Sequence, residues 1–133
     1  MIKRSGRHAD LLHEVVEHNG TLYFAGVVAE DLSKDMTGQA GSVFAQIDQL
    51  LAARGSSKDK LLTAMIFVTN MKDKPAMNAV WKAWLAPANL PTRATIGCQR
   101  PRAQRPHRGR RHGRERLDQR SGRLSGSATG RRA

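Results

Sequence analysis

The 133-residue sequence predicts an α+β domain over residues 1–99, with one sheet and both helices on a single face, followed by a segment of a different kind. Three observations carry this. Asn19-Gly20 stands between two strand-forming runs, two stretches of helical apolar periodicity are each followed by a strand-forming run, and after Gln99 the composition changes abruptly. The formal charge of +12 divides in the same place. Residues 1–99 hold 11 basic and 9 acidic residues, whereas residues 100–133 hold 12 basic and 2 acidic ones. The body is therefore near neutral, and any polyanion partner belongs to the tail.

Taken in order, Ile2 to Arg7 is short and basic, an edge strand or a frayed terminus. Glu14 to His18, Asn19-Gly20 and Thr21 to Val28 read as a β-hairpin, because both turn residues tolerate positive φ. Gly26 interrupts the second strand and marks a bulge or a close approach to the backbone. Glu30 to Met36 is a polar loop. Ala40, Val43, Phe44, Ile47, Leu50 and Leu51 then give a helix with one apolar face, ending near Gly55. After a polar turn, Leu61 to Asn70 is apolar enough for a central strand. Asp73 is placed to cap a second helix, with Pro75 in its first turn and Met77, Val80, Trp81, Trp84 and Leu85 on its apolar face. Both tryptophans read as core. Pro87 and Pro91 close the helix and lead into the strand Thr92 to Gln99. The second sheet face has apolar residues left to cover, which points to a homo-oligomer.

Arg93 is the candidate functional residue. Its planar guanidinium can grip a carboxylate through two parallel hydrogen bonds, which lysine cannot do with the same fixed geometry. The competing reading is a surface arginine in an ordinary ion pair. Elsewhere the chemistry is sparse. Five scattered histidines and one cysteine offer no metal-ligand spacing, so neither a metal nor a cofactor is expected. Cys98 reads as a small buried hydrophobe, and a lone cysteine excludes an internal disulfide framework and fits a reducing compartment. With no signal-peptide pattern and no apolar run of membrane-span length, the expected location is the cytoplasm and no membrane partner is expected.

The segments HNGTLYFAG, LLAARGSSKDKLL, TAMIFVTNM, MNAVWKAWL and LPTRATIGC, collinear over residues 12–99, together resemble the Rid (YjgF-like) family of reactive-intermediate deaminases, nearest the YoaB-like branch. The resemblance implies a chorismate-mutase-like α+β fold with a mostly antiparallel sheet, a homotrimer, and clefts between subunits. It also implies hydrolysis of 2-imino or enamine acids to 2-oxo acids and ammonia. In that chemistry Arg93 is the catalytic candidate that holds the substrate carboxylate. Backbone groups near Gly26 and Thr95 orient the imine, and Asn78 matches a further family position that helix packing explains equally well. Two departures stand out. Leu11, Leu12 and His13 replace a tyrosine-containing segment, and the family's last strand, which carries a cleft glutamate, does not follow Gln99.

Residues 100–133 contain no Val, Ile, Met, Phe, Tyr, Trp, Cys or Lys, and are expected to be disordered and unable to contribute a strand to a core. Such a tail would bind nucleic acid through charge alone. In that reading the body is a scaffold; a separate alternative is a trimer that keeps Arg93 to capture carboxylate ligands without turnover. With the last strand replaced, any deaminase activity of the chain as written is expected to be weak or absent. Twelve arginines with no lysine also suggest GC-rich coding sequence read out of frame. Back-translating His107 to Glu115 and reading from the second base of each codon permits Ile-Val-Val-Asp-Val-Thr-Val-Val, an amphipathic strand.

Overall fold

At the Asn19-Gly20 turn both residues take positive φ, 49° and 73°, as a tight hairpin turn demands. In this computed structural model, which describes residues 1–98 and 124–131, the turn joins strand β2 (Leu12–His18) to β3 (Thr21–Phe24). The basic N-terminal segment is an edge strand, β1 (Lys3–His8), antiparallel to β2. Beyond β3 the chain breaks at Ala25-Gly26 and resumes as the two-residue β4 (Val27–Val28). A Cβ at Gly26 would lie 3.9 Å from the carbonyl oxygen of Gly126, an ordinary contact, so the glycine marks the interruption and not a forced approach.

Helix α1 (Met36–Ala53) starts where the Asp35 carboxylate accepts from the Gly38 N–H at 2.9 Å, and Gly55 follows its end with φ 69°. Strand β5 (Leu61–Val68) leads through a short 3-10 turn, Met71–Asp73, to helix α2 (Lys74–Trp84). Asp73 does not cap α2 with its side chain; the chain enters helically through the 3-10 turn, and Asn70 does the capping by accepting from the Lys72 N–H at 3.1 Å. Strand β6 (Thr92–Gly97) then runs parallel to β5, giving a β5–α2–β6 crossover.

The last described element corrects an expectation. Leu124–Arg131 is a strand, β7, antiparallel to β3 and β4 on one side and to β5 on the other. It sits in the middle of the sheet, whose order is β1-β2-β3-β7-β5-β6, with β4 also on β7. Apolar side chains are not what this position requires. A central strand is held by backbone pairing on both edges, and its buried positions here are Gly126, Ala128 and Gly130, small enough for α1 to settle closely over them. The fold is thus α+β, with a mixed, mostly antiparallel sheet and both helices packed together on one face. The expected disorder of residues 100–123, and the frame-shifted strand read at 107–115, lie outside the described residues, as do most of the tail arginines. No described helix is long and apolar enough to cross a membrane.

Between α1, β5 and β7 a small apolar void of about 10 Å³ is lined by Val43, Phe44, Ile47, Ile66, Gly126 and Ala128. A Cβ on Gly126 would meet the Met65 carbonyl oxygen at 3.6 Å and Val43 Cγ1 at 3.9 Å, both ordinary contacts. Gly126→Ala is therefore expected to stabilise the fold by about 1 kcal/mol, from reduced unfolded-state freedom and better packing. The urea midpoint reads this, and an unchanged or lower midpoint would show that the strand needs glycine there.

On the face away from the helices Tyr23 and Met65 are about half exposed and Ile96 is 40% exposed. These residues come from β3, β5 and β6, so the apolar surface spans much of the sheet.

Candidate ligand-binding site on β6 and α2

The parallel register pairs Ala64 with Arg93 and Ile66 with Thr95. Ala64 and Ile66 are buried under the helices, so Arg93 and Thr95 face the helix layer and not the open face. Arg93 is half-buried, and its Cζ lies 5.1 Å from the centre of a Trp81 ring. Among the described residues the guanidinium has no hydrogen bond and no carboxylate partner, so the ordinary ion-pair reading does not apply there. Among the described residues three buried side-chain polar atoms have no hydrogen-bond partner: Arg54 Nε at the end of α1, and Thr95 Oγ1 and Asn78 Oδ1. Asn78 lies one turn before Trp81 on the same side of α2. Buried polar groups are nearly always satisfied, and Thr95 and Asn78 lie, respectively, on the strand that carries Arg93 and on the helix that carries Trp81.

Gly26 is elsewhere. It borders a separate cleft of about 380 Å³ lined by His8, Leu12, Glu14, Gln46 and Leu50. The row Val27, Gly126, Ile66, Thr95 runs across β4, β7, β5 and β6, placing Gly26 about 14 Å from the Arg93 strand at ordinary strand spacing. One chain therefore places Arg93 and Thr95 on one face of β6, with Asn78 one turn from the Trp81 that meets Arg93, and Gly26 three strands away.

Cys98 is exposed, not buried as its place at a strand end suggested: it lies just beyond β6, where only its backbone N–H is tied, donating to the Val68 carbonyl at 2.7 Å. Among the described residues no three His, Cys, Asp or Glu side chains are grouped to hold a metal ion. In the loop before α1, the Ser33 hydroxyl and backbone N–H hold the Asp31 carboxyl below its ordinary value. Helical spacing places Trp81 in the core. It is core, at 7% exposed, but it also meets Arg93. The available signal was the β5–α2–β6 order, because a right-handed crossover lays α2 over the strand that carries Arg93.

Residues 6–104 match the model of a family described as endoribonuclease L-PSP. The chain is 42% identical over 83 residues to the RutC family protein YoaB of Escherichia coli, covering 62% of this chain and 72% of that protein. It is 43% identical over 83 residues to a RutC family protein of Haemophilus ducreyi, covering 62% and 71%. Among solved structures it is similar to a YjgF-family protein of Neisseria meningitidis, with a TM-score of 0.78 and 29% identity over 100% of this chain and 96% of that one.

Proposed function

Since the chain belongs to the endoribonuclease L-PSP family, which includes the YjgF, Rid and RutC proteins, we propose that it hydrolyses 2-imino and enamine acids to 2-oxo acids and ammonia. The observation that carries this reading is the half-buried Arg93 guanidinium, without an anionic partner among the described residues, on the strand that bears Thr95 and against Trp81 of the helix that bears Asn78. Arg93 holds the substrate carboxylate by two parallel N–H···O bonds. The Thr95 hydroxyl and the Asn78 amide orient the imine end.

Water then adds to C2. A C–O bond forms, the C=N π electrons move to nitrogen, and nitrogen takes up a proton to give a carbinolamine. The carbinolamine hydroxyl then passes its proton to nitrogen, the C=O bond forms as the C–N bond breaks, and ammonia leaves with the 2-oxo acid, with no change of oxidation state. The imine carbon is already electrophilic, so holding and orienting it supplies the catalysis without a side-chain nucleophile.

Gly26 belongs to the same site only if a second copy provides it, and the open apolar face with Tyr23, Met65 and Ile96 favours such an assembly. The proposed active form is accordingly a homotrimer with clefts between subunits. To test the reading, 2-iminobutanoate is generated in situ by an amino-acid-consuming enzyme, and ammonia and 2-oxobutanoate release are followed with and without this protein. Release faster than the uncatalysed rate is expected, and equal rates would overturn the assignment. Light scattering on the same sample is expected to give a mass of three chains, and a monomer would remove the shared cleft.

A further inference from the structure

We infer that Trp81 is the positioning residue of this site: its indole holds one face of the Arg93 guanidinium, leaving the planar N–H edge free for a ligand carboxylate. The inference rests on the carboxylate-binding role proposed for Arg93 and adds the device that makes that role possible.

Arginine loses much rotamer freedom when it is fixed, and an arginine on an outer strand with no ion pair among the described residues needs some other restraint. The Cζ-to-ring distance of 5.1 Å is within cation–π range, and tryptophan offers the strongest ring for it. A ring can orient a cation only if the ring is itself immobile. Trp81 meets Phe44 edge-to-face, with centroids 5.7 Å apart and planes at 68°, and meets Trp84 in the same way at 5.7 Å and 62°. Phe44 and Trp84 are stacked at 4.6 Å, and Trp84 Nε1–H donates to Asp48 Oδ2 at 2.9 Å, tying α2 to α1. The chain of contacts thus runs from a carboxylate on α1 through three rings to the guanidinium on β6.

A carboxylate paired to Arg93 would have anchored it and also neutralised it. An aromatic face anchors it while keeping its full charge and its fork of donors available. The site therefore selects a flat oxyanion able to take two parallel hydrogen bonds, such as the carboxylate of a 2-oxo or 2-imino acid.

The test uses the full chain with Trp81→Leu and Trp81→Phe, and measures 2-oxobutanoate affinity by calorimetry beside the melting temperature. Side-chain NMR of Arg93 supplies a ligand-free readout. Trp81→Leu is expected to weaken binding about tenfold and to abolish the ring-current shift of the Arg93 side chain, whereas Trp81→Phe keeps a π face and stays within about threefold. In turnover, Trp81→Leu raises KM more than it lowers kcat. Equal losses in both variants, in step with their melting temperatures, would reduce Trp81 to a packing residue and overturn the inference. Unchanged affinity in Trp81→Leu, with binding intact in the parent, would overturn the inference alone. A parent chain that binds no 2-oxobutanoate would overturn the carboxylate role of Arg93 and the inference with it.

Discussion

Arg93→Ala is expected to lower kcat/KM for 2-iminobutanoate by about a hundredfold or more. The variant removes both hydrogen bonds to the substrate carboxylate and leaves that charge in a partly desolvated place, a loss that typically costs about 2–5 kcal/mol. Arg93→Lys separates charge from geometry. It keeps the positive charge but loses the planar fork, so it should recover only part of the activity. Ammonia release gives the rates, and circular dichroism melting shows whether either variant has lost its fold. Breaking the contact with Trp81 should cost the fold little, about 1 kcal/mol. A folded Arg93→Ala protein that turns over at the parental rate would remove Arg93 from the site.

A chain ending at residue 123 should lose its cooperative melting transition and aggregate. The truncation takes away β7, which hydrogen-bonds β3, β4 and β5, and leaves unpaired strand edges facing an empty slot. It also uncovers the α1 side chains above Gly126 and Gly130, among them Val43 and Leu51. Far-UV circular dichroism melting and light scattering would read the outcome. A truncated chain that melts cooperatively within a few degrees of the parent would show that β7 contributes little to stability.

What could be read from the sequence was what short-range chemistry determines. Asn19-Gly20 specified its turn, the apolar spacing of α1 and α2 specified their inner faces, and Pro91 and the run after it specified β6. Leu124–Arg131 was illegible for a physical reason. Its eight residues, LSGSATGR, have little side-chain hydrophobicity to announce a core strand, and its hydrogen-bonding partners are the distant strands β3, β4 and β5. The same division holds at the site. Arg93 was legible from its residue type and its place near the start of a strand, whereas Thr95 and Asn78 became candidates only through the family resemblance. The separation of Gly26 from Arg93 depends on β7 and β5 lying between them, which is a matter of strand order and not of local pattern.

The position of β7 also sets an order of events during synthesis. Contacts between β5 and β6, within the β1–β2–β3 meander, and between the two helices all join segments made before β7. Among the described strands, the two parts of the sheet they build, β1–β2–β3 and β5–β6, meet only through β7. While the ribosome is still holding residues 124–131, the nascent chain carries two half-sheets with facing open edges and a helix layer with an incomplete floor. Such edges can pair with a neighbouring chain on the same messenger before their own strand arrives. Closing the sheet is therefore a late, long-range step, expected to be slow relative to forming the hairpin and the helices, and until it happens the two open edges are exposed to wrong pairing.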